Sequence, residues 1–398
     1  MHSIDITQSI EFQMSLLLFV ALAGYILASR ISQPAVVGEI LVGIVIGPSV
    51  LGWITYTDFV SSIAHLGAII LLFVTGLEFK LREITNFKYL VIAFFGVIIP
   101  WAGGYAVATA FGYELTKAAL IGVAFAATSI AITADTLREM GKLQSEAAKA
   151  IIGAAIIDDI LALLALAVTE QASLGNISAN LIVLMIIKAS LFLVAGIVLG
   201  RIFFMPMINR IDRSEFAIRY PEFVFVLAMM MAFLYAMAAE LMGLSAIVGA
   251  FIAGVAMEGV NLKHSKHFKE GAEYLRIIFG AIFFVSLGVL ADINALTTDV
   301  ILATIAFILV AIATKLIGCG IPARLLGMSN RDSLVIGFGM APRGEVAMIV
   351  ALLALNQGVI GQAGYVSLVL MSLVTTLIVP IVLRNWLYRD QITPPPRQ

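Results

Sequence analysis

Mainly apolar stretches recur along the chain from residue 11 to residue 387. Each is about as long as a helix that crosses a bilayer, roughly 17–25 residues, and such a helix satisfies its backbone hydrogen bonds internally. Charged residues make up only 12% of the chain, about half of the share in a typical soluble protein. The sequence therefore predicts an all-α membrane protein with a single transmembrane domain over residues 1–398, surrounded by the lipid bilayer and without a nucleic-acid partner.

We predict about thirteen membrane spans from these stretches. They lie near residues 11–29, 34–50, 62–79, 89–111, 117–139, 147–169, 178–203, 220–241, 244–258, 273–291, 298–322, 333–356 and 361–387. Of the 24 lysine and arginine residues, 20 fall in the connections after odd-numbered spans or in the C-terminal tail. The positive-inside rule then places the N-terminus outside and the C-terminus in the cytoplasm, which predicts a multi-pass protein of the inner (plasma) membrane.

The two halves of the chain resemble each other at an offset of 211–215 residues. The similar segments are 34–43 and 245–254, 66–78 and 279–291, and 120–132 and 335–347. Because one linking helix at about 178–203 separates the halves, the second half is turned over relative to the first. This predicts two inverted six-helix repeats, at about 11–169 and 220–387. Inverted repeats with a site at the bilayer midplane are typical of transporters, although some channels are also built in this way.

Two adjacent aspartates, Asp158 and Asp159, interrupt the apolar run GAAIIDDILALLALAV of the sixth span. They lie roughly 16 Å from the cytoplasmic end of that span, near the centre of a hydrocarbon core about 30 Å thick. An ionisable group at this depth is by default a functional-site hypothesis. The alternative is a structural pair tied to neighbouring helices, but adjacent acids point in different directions and one partner would not serve both.

Polar residues in other spans are placed to complete a site. Pro342 interrupts the twelfth span within GMAPRGEV, and the matching stretch AATSIAITAD of the fifth span holds Thr128 and Ser129, whose hydroxyls suit freed backbone groups or a cation. Two broken, crossing helices at matching positions predict a midplane ion site, and its oxygen ligands favour Na⁺ or Li⁺. Lys315 in the eleventh span is either a partner of the two acids or a lysine that snorkels to the interface.

Four stretches carry a specific resemblance over nearly the whole chain. IIGAAIIDDILALLALAV, ATSIAITA, TKLIG and GMAPRGEVAMIVA resemble the NapA-type bacterial sodium/proton antiporters of the second cation:proton antiporter family. Asp158 and Asp159 match the Asp-Asp pair of that family, and Lys315 matches its lysine. The electroneutral branch carries Asn-Asp with an acid five residues before the Asp, where this chain has Ala154. The resemblance implies a six-helix core domain, with both broken helices and the Asp-Asp helix, interleaved in sequence with a dimerisation domain, and a homodimer.

The function expected from these residues is electrogenic, secondary active antiport that exports Na⁺ or Li⁺ in exchange for protons by alternating access. Such a transporter serves pH homeostasis, is not an enzyme and needs no cofactor. Asp159 is the main carrier of the proton or the cation, and Asp158 pairs with Lys315 until Na⁺ displaces the lysine. Whether Lys315 or Asp158 carries a second proton stays open at this stage. The alternatives are a K⁺/H⁺ antiporter with a roomier site, or a cation channel or sensor on the same scaffold.

The remaining ionisable residues have structural or peripheral interpretations. Arg343 and Glu345 are two residues apart and do not face each other on a regular helix. Arg343 is therefore expected to form a structural ion pair with a carboxylate on another helix, with Glu78 as a candidate. Asp135 lies toward the cytoplasmic end of the fifth span, where it either lines a cytoplasmic funnel that concentrates cations or pairs with an arginine three residues on.

Overall fold

The computed structural model of the protein describes residues 9–31, 33–78, 86–173, 179–220, 222–258, 260, 262 and 268–389. Within these residues the regular structure is helical and no β-strand occurs, which confirms the predicted fold class. The helices are α1 Ile10–Arg30, α2 Ala35–Ile46, α3 Asp58–Glu78, α4 Phe87–Ala110, α5 Leu115–Ala126, α6 Ile130–Glu139, α7 Glu146–Ser173, α8 Ala179–Leu199, α9 Met205–Asp212, α10 Glu215–Arg219, α11 Glu222–Leu241, α12 Ala246–Ala256, α13 Phe268–Leu290, α14 Thr298–Lys315, α15 Ile321–Leu325, α16 Asn330–Gly339, α17 Glu345–Asn356 and α18 Gln362–Val382. Three π-helical turns, Gly200–Phe204, Leu316–Gly320 and Leu383–Leu387, continue α8, α14 and α18.

Each of the thirteen predicted spans overlaps a helix, or a pair of helices, in the described part of the chain. Eight helical runs there are long and apolar enough to cross a membrane, and four further apolar helices, α2, α5, α12 and α17, are shorter. Helix α7 is also long, with 28 residues, but it carries the two aspartates. The fifth and twelfth predicted spans are each divided into two helices, α5 with α6 and α16 with α17. The predicted broken helices are therefore observed.

The chain forms two compact units, each built from two separate stretches of sequence. The first unit comprises Met1–Leu81 and Glu170–Ala291, and the second comprises Arg82–Thr169 and Asp292–Gln398. The second unit contains both divided spans and the aspartate-bearing part of α7. Six of the predicted spans thus share one unit with the candidate site, while the linking helix and six other spans lie in the first unit.

Backbone contacts hold helices of the first unit together at glycines. A Cβ atom added at Gly24 of α1 would lie only 2.7 Å from backbone atoms of Gly38 and Glu39 in α2. On the other side of α2, a Cβ at Gly47 would lie 3.0 Å from the Cα of Val289, which follows from the close approach of α13. Small residues at such positions let membrane helices approach until their backbones touch.

Two hydroxyl caps determine where the site-bearing helices of the second unit begin. The side chain of Thr297 accepts a hydrogen bond from the Val300 N–H at the start of α14. The side chain of Ser329 accepts one from the Asp332 N–H, 3.0 Å away, at the start of α16. Such caps satisfy backbone N–H groups that have no partner inside the helix. They fix the register of α14 and α16, and with it the positions of Lys315 and the Pro342 break.

Candidate ion-binding site

Two broken spans meet at their breaks within the second unit. The backbone N–H of Ser129, in the break between α5 and α6, donates to the Pro342 carbonyl at 2.8 Å. The hydroxyl of Thr133 donates to the carbonyl of Gly339, the last residue of α16, at 2.6 Å. Gly344 lies so close to Ser129 that an added Cβ would overlap the serine side chain. Each break therefore supplies hydrogen-bond partners that the other break has left unsatisfied.

Hydroxyl groups of α18 hold the second break in place. The peptide of Arg343 donates its N–H to the Thr375 hydroxyl at 3.3 Å. Its carbonyl accepts hydrogen bonds from Ser372 at 2.7 Å and from Thr376 at 3.0 Å. A backbone group in the hydrocarbon region costs several kcal/mol when it has no partner. Hydrogen bonds with these three hydroxyls offset the cost of interrupting the twelfth span. The sequence analysis missed the three residues, although a cluster of hydroxyl side chains in MSLVTT, within an otherwise apolar span, could have indicated them.

The side chain of Arg343 is fully buried and binds backbone carbonyls. Its guanidinium donates to the carbonyls of Ala127 at 2.9 Å and Ala311 at 2.9 Å, and reaches that of Ala126 at 3.4 Å. The first and last of these carbonyls belong to the C-terminal end of α5, which carries a partial negative charge. In the described part of the chain no carboxylate lies within ion-pair distance of Arg343, although Asp158 is an electrostatic neighbour.

The described residues thus give Arg343 carbonyl partners in place of the predicted carboxylate. Glu78, the candidate named for that ion pair, is the last residue of α3. The guanidinium binds carbonyls because a helix break leaves backbone carbonyl groups without partners. These groups need a hydrogen-bond donor just as a buried carboxylate does. Glu345, the other residue of that prediction, begins α17 and accepts a hydrogen bond from the Ser129 hydroxyl at 3.3 Å.

Asp158 and Lys315 form an ion pair in the interior of the second unit. The Nζ of Lys315 lies 3.0 Å from Oδ1 of Asp158, and both side chains have zero solvent exposure. Lys315 is the last residue of α14 and precedes the π-helical turn Leu316–Gly320. The predicted contact is present, and the alternative that Lys315 snorkels to an interface is excluded by its burial.

Two buried oxygens beside this pair form no hydrogen bond of normal geometry among the described residues. They are the hydroxyl oxygen of Thr128 and Oδ2 of Asp158, and the hydroxyl lies within range of a weak hydrogen bond to the Asp158 carboxylate. Buried polar atoms nearly always form well-made hydrogen bonds in native proteins, so two oxygens held this loosely can still accept a ligand. Oxygen atoms from a carboxylate and a hydroxyl are suitable ligands for Na⁺ or Li⁺.

Asp159 follows Asp158 on α7 and is turned by about 100° around the helix axis. A small part of its surface is accessible, unlike that of Asp158, although protein atoms surround its carboxylate. Asp158, Glu345 and Lys315 are its electrostatic neighbours. With Arg343, the region holds three carboxylates and two cations, and thus one excess negative charge when all are ionised. A site of this charge attracts one cation or one proton.

Asp135 lies on α6, and its side chain is outside the part of the structure that is described. The funnel interpretation of Asp135 therefore stays a prediction.

Comparisons with known proteins agree on one family. Residues 16–388 match the family described as sodium/hydrogen exchanger, transmembrane. The chain is 35% identical to the Na⁺/H⁺-K⁺ antiporter GerN of Bacillus cereus over 94% of this chain and 95% of GerN. It is 30% identical to a Na⁺/H⁺ antiporter of Enterococcus hirae over 93% of this chain and 96% of that protein. The solved structure of the sodium proton antiporter MjNhaP1 from Methanocaldococcus jannaschii superposes with a TM-score of 0.70 at 16% identity, covering 96% of this chain and 98% of MjNhaP1.

Proposed function

Because this chain belongs to the sodium/hydrogen exchanger family, we propose that it is a secondary active transporter that exports Na⁺ or Li⁺ from the cell in exchange for protons. The observation that carries the proposal is the buried Asp158–Lys315 pair, with two loosely satisfied oxygens beside it, at the crossing of two broken helices. A buried carboxylate with further oxygen ligands beside it can exist in two forms. In one form it is paired with the lysine ammonium, and in the other it binds a metal cation. Exchange between these two forms is what antiport requires.

Asp159 is the main carrier in this proposal. It holds a proton in one form of the site and binds Na⁺ in the other. In the sodium-bound form Oδ2 of Asp158 and the hydroxyl of Thr128 supply further ligands, and Ser129 supports the break at which they meet. The electrostatic neighbours of Asp159 support this role, because the carboxylates of Asp158 and Glu345 favour a proton or a metal cation on it.

Lys315 is the second proton carrier in this proposal. When Na⁺ binds to Asp158, the lysine loses the carboxylate to which it donates a hydrogen bond. An unpaired ammonium group in the protein interior is energetically unfavourable. Lys315 therefore releases its proton to the cytoplasm and becomes a neutral amine. One Na⁺ then displaces two protons, and after its release outside both groups take up protons again. This exchange is electrogenic and needs no cofactor.

We assign the second unit to the ion-carrying core and the first unit to dimerisation, in a homodimer of the inner (plasma) membrane with its N-terminus outside. Both broken spans and the carboxylates lie in the second unit, which supports the assignment of the core. The distribution of lysine and arginine supports the orientation.

A K⁺/H⁺ exchanger is the second candidate. It is favoured by one observation, the name of the relative GerN, a Na⁺/H⁺-K⁺ antiporter. The same oxygen atoms would bind the larger ion if the site opened further.

The test is proton movement in proteoliposomes with an imposed pH gradient, followed with a pH-sensitive dye while Na⁺, Li⁺ or K⁺ is added. We expect Na⁺ and Li⁺ to dissipate the gradient in liposomes with the wild type and not in liposomes with Asp159→Asn. Dissipation by K⁺ alone would favour the second candidate. Conductance without proton coupling would refute antiport and indicate a channel.

A further inference from the structure

Helix α4 passes beside the ion pair at Gly96. A Cβ atom at this position would lie 3.7 Å from Oδ1 of Asp158 and 3.9 Å from Nζ of Lys315. It would lie only 2.7 Å from Sγ of Cys319, which is fully buried. The missing side chain of Gly96 therefore leaves the space in which the two charged groups and the thiol meet.

Cys319 and Lys315 belong to the same short stretch of chain. They are four residues apart and lie on either side of the start of the π-helical turn Leu316–Gly320. This turn touches α4 through its backbone, because a Cβ at Gly318 would lie 2.6 Å from the carbonyl oxygen of Phe95. The stretch is thus held against α4 at two points, Gly318 and Cys319. A displacement of Cys319 has to be absorbed by the segment that also carries Lys315.

We propose that Gly96 is a positioning residue for Lys315. By having no side chain, it lets Cys319 lie directly against α4 and so keeps the Lys315 ammonium within 3.0 Å of Asp158. The inference rests on the proposed function, because the Asp158–Lys315 pair is the contact that Na⁺ has to open.

The substitution Gly96→Ala affects Cys319 and the Asp158–Lys315 pair differently. The added carbon stands at ordinary van der Waals distance from the charged atoms, so it does not clash with the pair itself. It does clash with Cys319, whose sulfur has to retreat by about 1 Å to reach a normal contact distance. The retreat moves the stretch that carries Lys315 and lengthens its hydrogen bond to Asp158.

A longer Asp158–Lys315 bond has a specific kinetic signature. Na⁺ opens a weakened pair more easily, so the apparent KM for Na⁺ should fall, by threefold or more. Na⁺ also leaves more slowly, so the maximal rate should fall. General damage to the fold lowers the maximal rate without making Na⁺ bind more tightly, and this difference distinguishes positioning from a merely structural role.

The experiment compares Na⁺-dependent exchange in proteoliposomes for the wild type, Gly96→Ala, Cys319→Ala and the double variant. The double variant adds one carbon at position 96 and removes the sulfur it would strike, so its KM and rate should return to those of Cys319→Ala alone. Gly196→Ala is the matched control, since an added Cβ there would lie 2.7 Å from Cγ2 of Ile252, the same degree of crowding, and both residues belong to the first unit and not to the stretch that carries Lys315. It should lower thermal stability without lowering KM.

Na⁺-induced thermal stabilisation in detergent gives a second readout that does not depend on transport. The Na⁺ concentration for half-maximal stabilisation should be lower for Gly96→Ala than for the wild type. An unchanged KM and half-maximal concentration in Gly96→Ala would overturn the inference, as would a double variant no better than Gly96→Ala. If Gly96→Ala does not fold, a folded and active double variant supports the inference and an unfolded one refutes it. A wild type that moves no protons on addition of cations refutes the proposed function instead.

Discussion

Replacement of Lys315 by glutamine tests the ion pair on which the proposed exchange depends. The substitution removes the positive charge and, among the described residues, leaves Asp158 buried without an ion-pair partner, with the Arg343 guanidinium as a more distant electrostatic neighbour. At 3.0 Å and an effective dielectric constant of about 20, two unit charges attract each other by about 5–6 kcal/mol. Desolvation of both groups offsets part of this attraction, and loss of one partner of a buried pair costs about 3–5 kcal/mol.

We therefore expect Lys315→Gln to lower the free energy of unfolding by about 3–5 kcal/mol. The double variant Asp158→Asn with Lys315→Gln should be more stable than Lys315→Gln alone, because a neutral amide pair leaves no buried charge. The measurement is unfolding in mixed detergent micelles, followed by the circular dichroism of the helices. Wild-type stability in Lys315→Gln, or a double variant in which the two losses simply add, would refute the reasoning.

The same variant tests the second proton. If Lys315 carries it, a glutamine leaves Asp159 as the only proton carrier, and one Na⁺ then exchanges for one proton. The exchange rate of Lys315→Gln should not respond to an imposed membrane potential, whereas that of the wild type should. A retained voltage response in an active Lys315→Gln variant would assign the second proton to another group.

Four further predictions follow from the site. Asp159→Asn should abolish exchange and keep the thermal midpoint, because it retains the shape of the side chain; Na⁺-driven proton movement in this variant would show that another carboxylate is the carrier. Thr128→Val should raise the KM for Na⁺ several-fold and Thr128→Ser should not, since only the valine lacks the hydroxyl oxygen beside Asp158; equal KM values in liposomes would exclude Thr128 as a ligand. Arg343→Gln should lower the free energy of unfolding by roughly 2–4 kcal/mol, because charge-assisted hydrogen bonds to three carbonyls are lost, and an unchanged value in micelles would contradict that account. Asp135→Asn should raise the KM for Na⁺ at low ionic strength and leave the maximal rate nearly unchanged; a KM equal to wild type at both low and high salt would remove the funnel role.

The sequence was sufficient to predict the partner of a buried charged residue when that partner is itself a charged residue. Two aspartates and one lysine deep in apolar spans have few alternatives to each other, because an unpaired charge at that depth is very costly. This cost favours a contact between Lys315 and the acid pair, and the resemblance to the antiporters led to the assignment of that contact to Asp158. Span lengths were predictable for a similar reason, since the thickness of the bilayer sets the length of each apolar run.

The partners of Arg343 were not predictable in the same way. Pro342 marks one break in the sequence, but the break at Ala127–Ser129 contains neither proline nor glycine. It persists because tertiary contacts satisfy the groups it frees, namely Arg343 at the Ala127 carbonyl and the Pro342 carbonyl at the Ser129 N–H. Only the internal repeat indicated this break, and no local pattern shows which side chain reaches a carbonyl that is freed there.

The charges of the site determine how its two loaded forms respond to voltage in the proposed cycle. In the proton-loaded form Asp159 is neutral and Asp158 is balanced by Lys315. In the sodium-loaded form one Na⁺ stands against two carboxylates and a neutral lysine, so the site carries one more negative charge. Arg343 and Glu345 contribute equally to both forms and cancel from the difference. The membrane potential therefore acts on a difference of one elementary charge, about 2.3 kcal/mol for each 100 mV. That difference disappears when residue 315 is neutral in both forms, so voltage dependence reports the protonation of Lys315 and not the number of carboxylates.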